Sequence, residues 1–274
     1  MRAALEIYDL ATGRRRLILQ SDLRLEAPNW HPEGWLLVNA DGRLWRVDPE
    51  NPALVALDTG DTGLCNNDHG FSPDGRTLWF TTHRNGGAAE IWRMTTAGGR
   101  PTLLPLSRPS WWHGVSPDGS QITYAAARDD LREIDIYISP VPDGPEVRLT
   151  PGGAHSDGPD FSPCGDWVWF NSDRSGHAQI WRVRIDGTDA AQVFADDKVN
   201  WFPHPSPCGR HVLYLAYPPG TLGHPADQPV DLCLMDTAGG NRRRLASFTG
   251  GQGAINVPCW SPDGSALAFV RHDA

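Results

Sequence analysis

One four-residue turn, copied along the chain, limits what this sequence can fold into more than any other feature. Ser-Pro-Asp-Gly stands at Ser72–Gly75, Ser116–Gly119 and Ser261–Gly264, with variants at His31–Gly34, Ser162–Gly165 and Ser206–Gly209. Successive copies start 41, 44, 46, 44 and 55 residues apart. A period of about 40–45 residues is the length of one four-stranded propeller blade. The turn chemistry suits a hairpin: Pro presets φ, Asp bonds its own backbone, and Gly takes the left-handed position. An apolar or alternating stretch follows each copy: Trp35–Val38, Thr77–Phe80, Gln121–Tyr124, Trp167–Phe170, His211–Leu215 and Ala266–Val270. Such period-two runs mark strands.

A second strand signal follows in five copies: Leu44-Trp45-Arg46, Ile91-Trp92-Arg93, Ile136-Tyr137, Ile180-Trp181-Arg182 and Leu232–Met235. The sixth is missing after Val270 but stands at the other end of the chain as Glu6–Asp9. The pattern therefore predicts an all-β, six-bladed propeller of four-stranded blades over residues 1–274, a single domain. The N-terminal strands would complete the C-terminal blade and so remove open sheet edges. Trp45, Trp92 and Trp181 are expected to pack between blades.

Composition narrows the function. A formal net charge of −9 argues against a nucleic-acid partner, and no apolar run approaches the ~18 residues of a membrane span. Five cysteines without close pairs do not read as a disulfide framework, and no Cys-x-x-Cys occurs. With no apolar leader at the start, a cytoplasmic location is expected; the alternative is a periplasmic protein whose leader was removed. There is no Gly-x-Ser-x-Gly elbow, dinucleotide fingerprint or P-loop. The long segment between Tyr217 and Val230 accounts for the 55-residue spacing and reads as a functional rim or lid, or as a plain Pro-rich loop.

Ser-Pro-Asp-Gly followed by Ile-Trp or Ile-Tyr resembles the TolB-type, WD40-like propeller repeat (PD40), over essentially the whole chain. A more distant resemblance is to the oligogalacturonate lyases, propellers that hold a divalent metal with channel histidines and a glutamine. That resemblance implies metal-assisted carbohydrate chemistry without matching residues one for one.

Function is expected where the copies disagree. The residues before each turn should form the innermost strand, lining the channel. Two copies keep Pro-x-Trp, at Pro28–Trp30 and Pro258–Trp260. The others read Asn66-Asn67-Asp68-His69-Gly70, Trp111-Trp112-His113-Gly114, His155-Ser156-Asp157-Gly158-Pro159-Asp160 and Asn200-Trp201-Phe202-Pro203-His204. Polar groups converging in a concavity make a site, although a hydrated structural plug would look the same. The candidate catalytic residues are His69, His113, His204, Asp68 and Asp160, as general acids or bases. Asn67, Trp112, Asp157, Trp201, Gln252, Asn256 and His224 are the candidate ligand contacts, the tryptophans stacking on a sugar face unless they pack between blades. His69, His113 and His204, at near-equivalent positions, with Gln252 or Asp160 supplying oxygen, are the candidate ligands of Mn, Zn or Fe. His155 and His224 fall in channel-proximal or rim loops. The expected activity is a metal-assisted, lyase- or hydrolase-like reaction on a carbohydrate; the alternative is a non-catalytic scaffold for a protein or peptide.

Overall fold

A computed structural model describes residues 2–273. Six antiparallel sheets follow one another around a ring, five of them built in chain order from the channel outwards. Blade one comprises Glu26–Trp30, Leu36–Ala40, Arg43–Asp48 and Asn51–Ala56. The innermost strands of blades two to five are Leu64–Phe71, Ser110–Val115, Ser156–Phe161 and Val199–Pro205. Blade six joins both ends of the chain: Ala266–Asp273 pairs with Arg2–Asp9, which pairs with Arg15–Ser21. Its innermost strand is shortened to the Trp260–Leu267 bridge. Closure through the N-terminal strands is as the repeat predicts.

The turns close as their residues dictate. In the copy at 72–75, the Gly75 N–H donates to the Ser72 carbonyl at 2.8 Å and Ser72 Oγ donates to Asp74 Oδ1 at 2.6 Å. The Thr77 N–H donates to Ser72 Oγ, starting the next strand. Gly75 has φ +70°, where a side chain is disfavoured. Where Cys164 and Cys208 replace Asp, the thiol sits 3.2 and 3.3 Å from the serine hydroxyl and the turn is kept.

Apolar side chains hold the ring together one blade interface at a time. Leu37, Phe71 and Phe80 join blades one and two. Trp79, Trp112 and Tyr124 join two and three, and Ile136, Phe161 and Phe170 join three and four. Trp169, Tyr214 and Met235 join four and five; Trp201, Leu232 and Phe269 join five and six. Leu5, Val38 and Val270 close the circle. Trp45, Trp92 and Trp181 lie at the margins of such clusters, as their repeat position predicts. Among the described residues no helix is long and apolar enough to cross a membrane.

Candidate functional site

Each innermost strand of blades one to five is broken by a bulge. The pairing register shifts between Glu26 and Asn29, Cys65 and His69, Trp112 and Gly114, Asp157 and Asp160, and Trp201 and His204. A bulge leaves residues unpaired and re-aims their side chains, which is why it recurs beside sites. Ala27, Gly158 and Phe202 turn three of these corners with φ of +52°, +60° and +55°. In blades one to four a side chain at or within the bulge faces one cavity, from Glu26, Asn66 to Asp68, His113 and Asp157, while His69 and Asp160, just after theirs, turn into the wall.

That cavity has a volume of about 590 Å³. Six of the expected residues line it: Asn67, Asp68, His113, Asp157, His224 and Gln252. His113 forms part of its wall. Its Nε2 lies 3.2 Å from Asp157 Oδ1 in blade four and 3.8 Å from Asp68 Oδ1 in blade two. Asn256 donates to Asp68 Oδ1 at 2.7 Å and Asn66 donates to the other oxygen. Asn256 is therefore buried behind the site, positioning Asp68 rather than meeting a ligand itself.

The two carboxylates are driven apart. Burial pushes Asp68 up against the opposing pull of His113. Burial acts on Asp157 too, but the imidazoles of His113, His155 and His224 around it outweigh it, holding Asp157 well below the usual range. Burial opposes charge on His113, yet Asp157 and Asp68 overcome it and raise its pKa. Divergent carboxyls around one imidazole are the pattern of acid–base sites.

The remaining expected residues are elsewhere. His204 is fully enclosed: Nδ1 meets Asp160 Oδ2 at 3.0 Å and Nε2 donates to the Ile255 carbonyl at 2.7 Å. Both ring nitrogens are thus committed to protein atoms. His69 is buried against Asn39, its Nε2 3.3 Å from Oδ1, and burial pushes its pKa down to about 3. Equivalent positions on blades two, three and five are spread around the channel axis, so His69, His113 and His204 do not gather as a metal trio. Among the described residues, the group of three whose donor atoms come within 4.8 Å of one another is His155, Asp157 and His224. Trp112 stacks on Trp79 at 6.4 Å and fills the space over Gly70, while Trp201 is buried against His224 at 4.4 Å. Neither presents a face to the cavity; Trp111 does.

His155, read from the sequence as channel-proximal, lines it too, and so do residues absent from the sequence-level candidates, among them Arg24, Glu26, Asn39, Asn66 and Trp111. The adjacent Trp111-Trp112 pair was a usable signal, since only one of two neighbours on a strand can face inward. Nothing in the repeat marked Arg24, which arrives from the connection into blade one. The 218–227 loop folds over this end of the channel. Arg24 grips Asp227 with two hydrogen bonds of 3.0 and 3.1 Å, and His272 Nδ1 meets the same carboxylate at 3.0 Å. His224, from the middle of the loop, then reaches Asp157 Oδ2 at 3.6 Å.

The family pattern of the TolB β-propeller domain (PD40) matches residues 106–228. The uncharacterized protein Atu1656 of Agrobacterium fabrum is 43% identical, over 99% of this chain and 93% of its own. A solved structure of a candidate TolB from Agrobacterium tumefaciens is also 43% identical, covers 100% of this chain and 99% of its own, and superposes with a TM-score of 0.97. An oligogalacturonate lyase in complex with manganese shares the fold at 15% identity and a TM-score of 0.59, covering 90% of this chain and 74% of its own. Repeat, closure and whole-length likeness agree: the chain belongs to the TolB-like β-propeller family.

Proposed function

We propose that the channel mouth binds a small hydroxylated ligand, a carbohydrate, and transfers a proton on it through His113 and Asp68. One observation carries this reading: a single imidazole nitrogen faces carboxylates from two different blades at the wall of a 590 Å³ cavity. A purely structural histidine would be closed off by fixed partners, as His204 is. Trp111 offers the sugar an apolar face, and Asn66, Asn67 and Gln252 offer hydrogen bonds to hydroxyls.

The lining favours a neutral sugar over an acidic one. Glu26, Asp41, Asp68 and Asp157 face the cavity, and its one guanidinium, Arg24, already serves Glu26 and Asp227. The acidic substrate in the name of the distant lyase would have to lie against these four carboxylates. Five unpaired cysteines support work in a reducing compartment, so a cytoplasmic location is part of the proposal.

The acidic mouth also favours a second reading, a scaffold for a basic peptide. The test is a thermal-shift and calorimetric screen of neutral mono- and oligosaccharides, uronates and basic peptides, followed by product analysis for any binder. A neutral sugar that binds wild type, is lost in His113→Gln and is turned over supports the enzyme. Binding by basic peptides alone replaces it with the scaffold.

A further inference from the structure

We propose that His155, Asp157 and His224 form a site for a divalent first-row transition metal, and that the ion ties the 218–227 loop to the channel wall. The donors come from two separate places. His155 precedes and Asp157 stands in the innermost strand of blade four; His224 comes from the loop of blade five. Nε2 of His155 lies 3.9 Å, and Nε2 of His224 3.6 Å, from the same oxygen, Asp157 Oδ2. A tetrahedral ion with bonds of about 2.0–2.2 Å spaces its ligands about 3.3–3.6 Å apart. The three donors therefore need only a small closure to hold one.

The surroundings fit a metal better than an ion pair. Three imidazoles, those of His113, His155 and His224, surround the one carboxylate of Asp157. Asp68 answers only His113, and a cation between the rings of His155 and His224 accounts for their convergence on one oxygen of Asp157. His113 holds the other oxygen, Oδ1, at 3.2 Å, the outer partner that orients a ligating carboxylate. Trp201 packs edge-on against both rings, with centroids 5.9 Å from His155 and 4.4 Å from His224. Two imidazoles and one carboxylate suit Zn, Fe or Mn, whereas Mg and Ca prefer oxygen throughout. All three residues line the cavity, so the ion's remaining positions would face the ligand space.

The loop has an independent anchor at Asp227, held by Arg24 and His272. The metal would fix its middle, at His224. Leu222, two residues away and 91% exposed, is a ready point for chymotrypsin.

This inference shares Asp157 with the proposed function but is tested apart from it. Untagged full-length protein is stripped with chelator and titrated with Zn²⁺, Mn²⁺ and Mg²⁺ by calorimetry. One Zn²⁺ or Mn²⁺ per chain is expected, with Mg²⁺ far weaker. His155→Ala and His224→Ala should each weaken binding by at least about tenfold, and His113→Gln by about tenfold through its hold on Asp157. Zn²⁺ should slow chymotryptic cutting after Leu222 in wild type and not in His224→Ala. Stoichiometric binding that survives both alanine variants, or no binding at millimolar metal, overturns the site. Sugar binding measured in chelator reports on the proposed function alone.

Discussion

His113 and His204 occupy the same strand of two blades, and blade four supplies an aspartate to each. Asp157, before the bulge, faces His113 at 3.2 Å; Asp160, after it, faces His204 at 3.0 Å. There the likeness stops. His204 spends its second nitrogen on the Ile255 carbonyl, and its own carbonyl accepts from Trp260 Nε1 at 2.9 Å. It ties blades four, five and six together. His113 meets a second carboxylate and a cavity instead. A buried His–Asp pair is thus a staple or a site depending on what its free edges meet, and the bulge between Asp157 and Asp160 separates the two.

The largest expected effect breaks the staple. His204→Ala leaves the buried Asp160 carboxyl and the Ile255 carbonyl without partners and should cost about 3–5 kcal/mol in denaturant unfolding. His113→Ala should cost about 1–2 kcal/mol, because cavity water can solvate Asp68 and Asp157. Equal losses would erase the distinction drawn between the two pairs.

Next is the packing behind the site. A Cβ on Gly70 would lie 2.3 Å from Trp112 Cη2 and 2.7 Å from Cζ3. Gly70→Ala must displace a buried indole and should cost about 1–3 kcal/mol, read as a lower denaturant midpoint. A neutral outcome would mean that Trp112 is free to move and could reach a ligand after all.

His69 gives a pH test. Folded, it is held down at about 3 by burial, below the ordinary value of 6.5. Between those values the unfolded chain binds the extra proton, so the stabilisation is present above pH 6.5 and is lost as pH falls toward 3. The slope contributed is at most about 1.4 kcal/mol per pH unit. His69→Gln should flatten the acid side of the stability curve by that amount; an unchanged slope would mean that His69 reaches solvent.

The smallest effect is at the far end of the channel. Cys208 is exposed, and bonds to Ser206 and Arg210 lower its thiol to about 7. Cys208→Asp restores the carboxylate that Ser72 finds in Asp74, and should raise stability by no more than about 0.5 kcal/mol. Ligand and metal binding should not change. A larger shift would show that the turns are coupled to the mouth.

The repeat made the architecture legible because every part of it is local. Ser72 to Gly75 satisfies its own hydrogen bonds, and the strand patterning on either side needs no distant partner to be recognised. The inner strands were legible only as a list of polar residues. Asp68, His113 and Asp157 stood on it beside His69, Asp160 and His204, with nothing to separate them. Near-equivalence in the repeat pointed to a trio of histidines, but equivalent positions on a ring are spread around its axis.

By itself the amino-acid order determined the blade count, the turn geometry and the closure through residues 2–9, since these follow from short-range backbone preference and strand period. Tertiary structure decided which polar groups share a space. That depends on bulges that shift the register by a residue or more, and on a loop whose His224 meets Asp157 only once blades four and five are side by side. A side chain's direction reverses with each residue of a strand, so a single bulge is enough to turn a ligand contact into a staple.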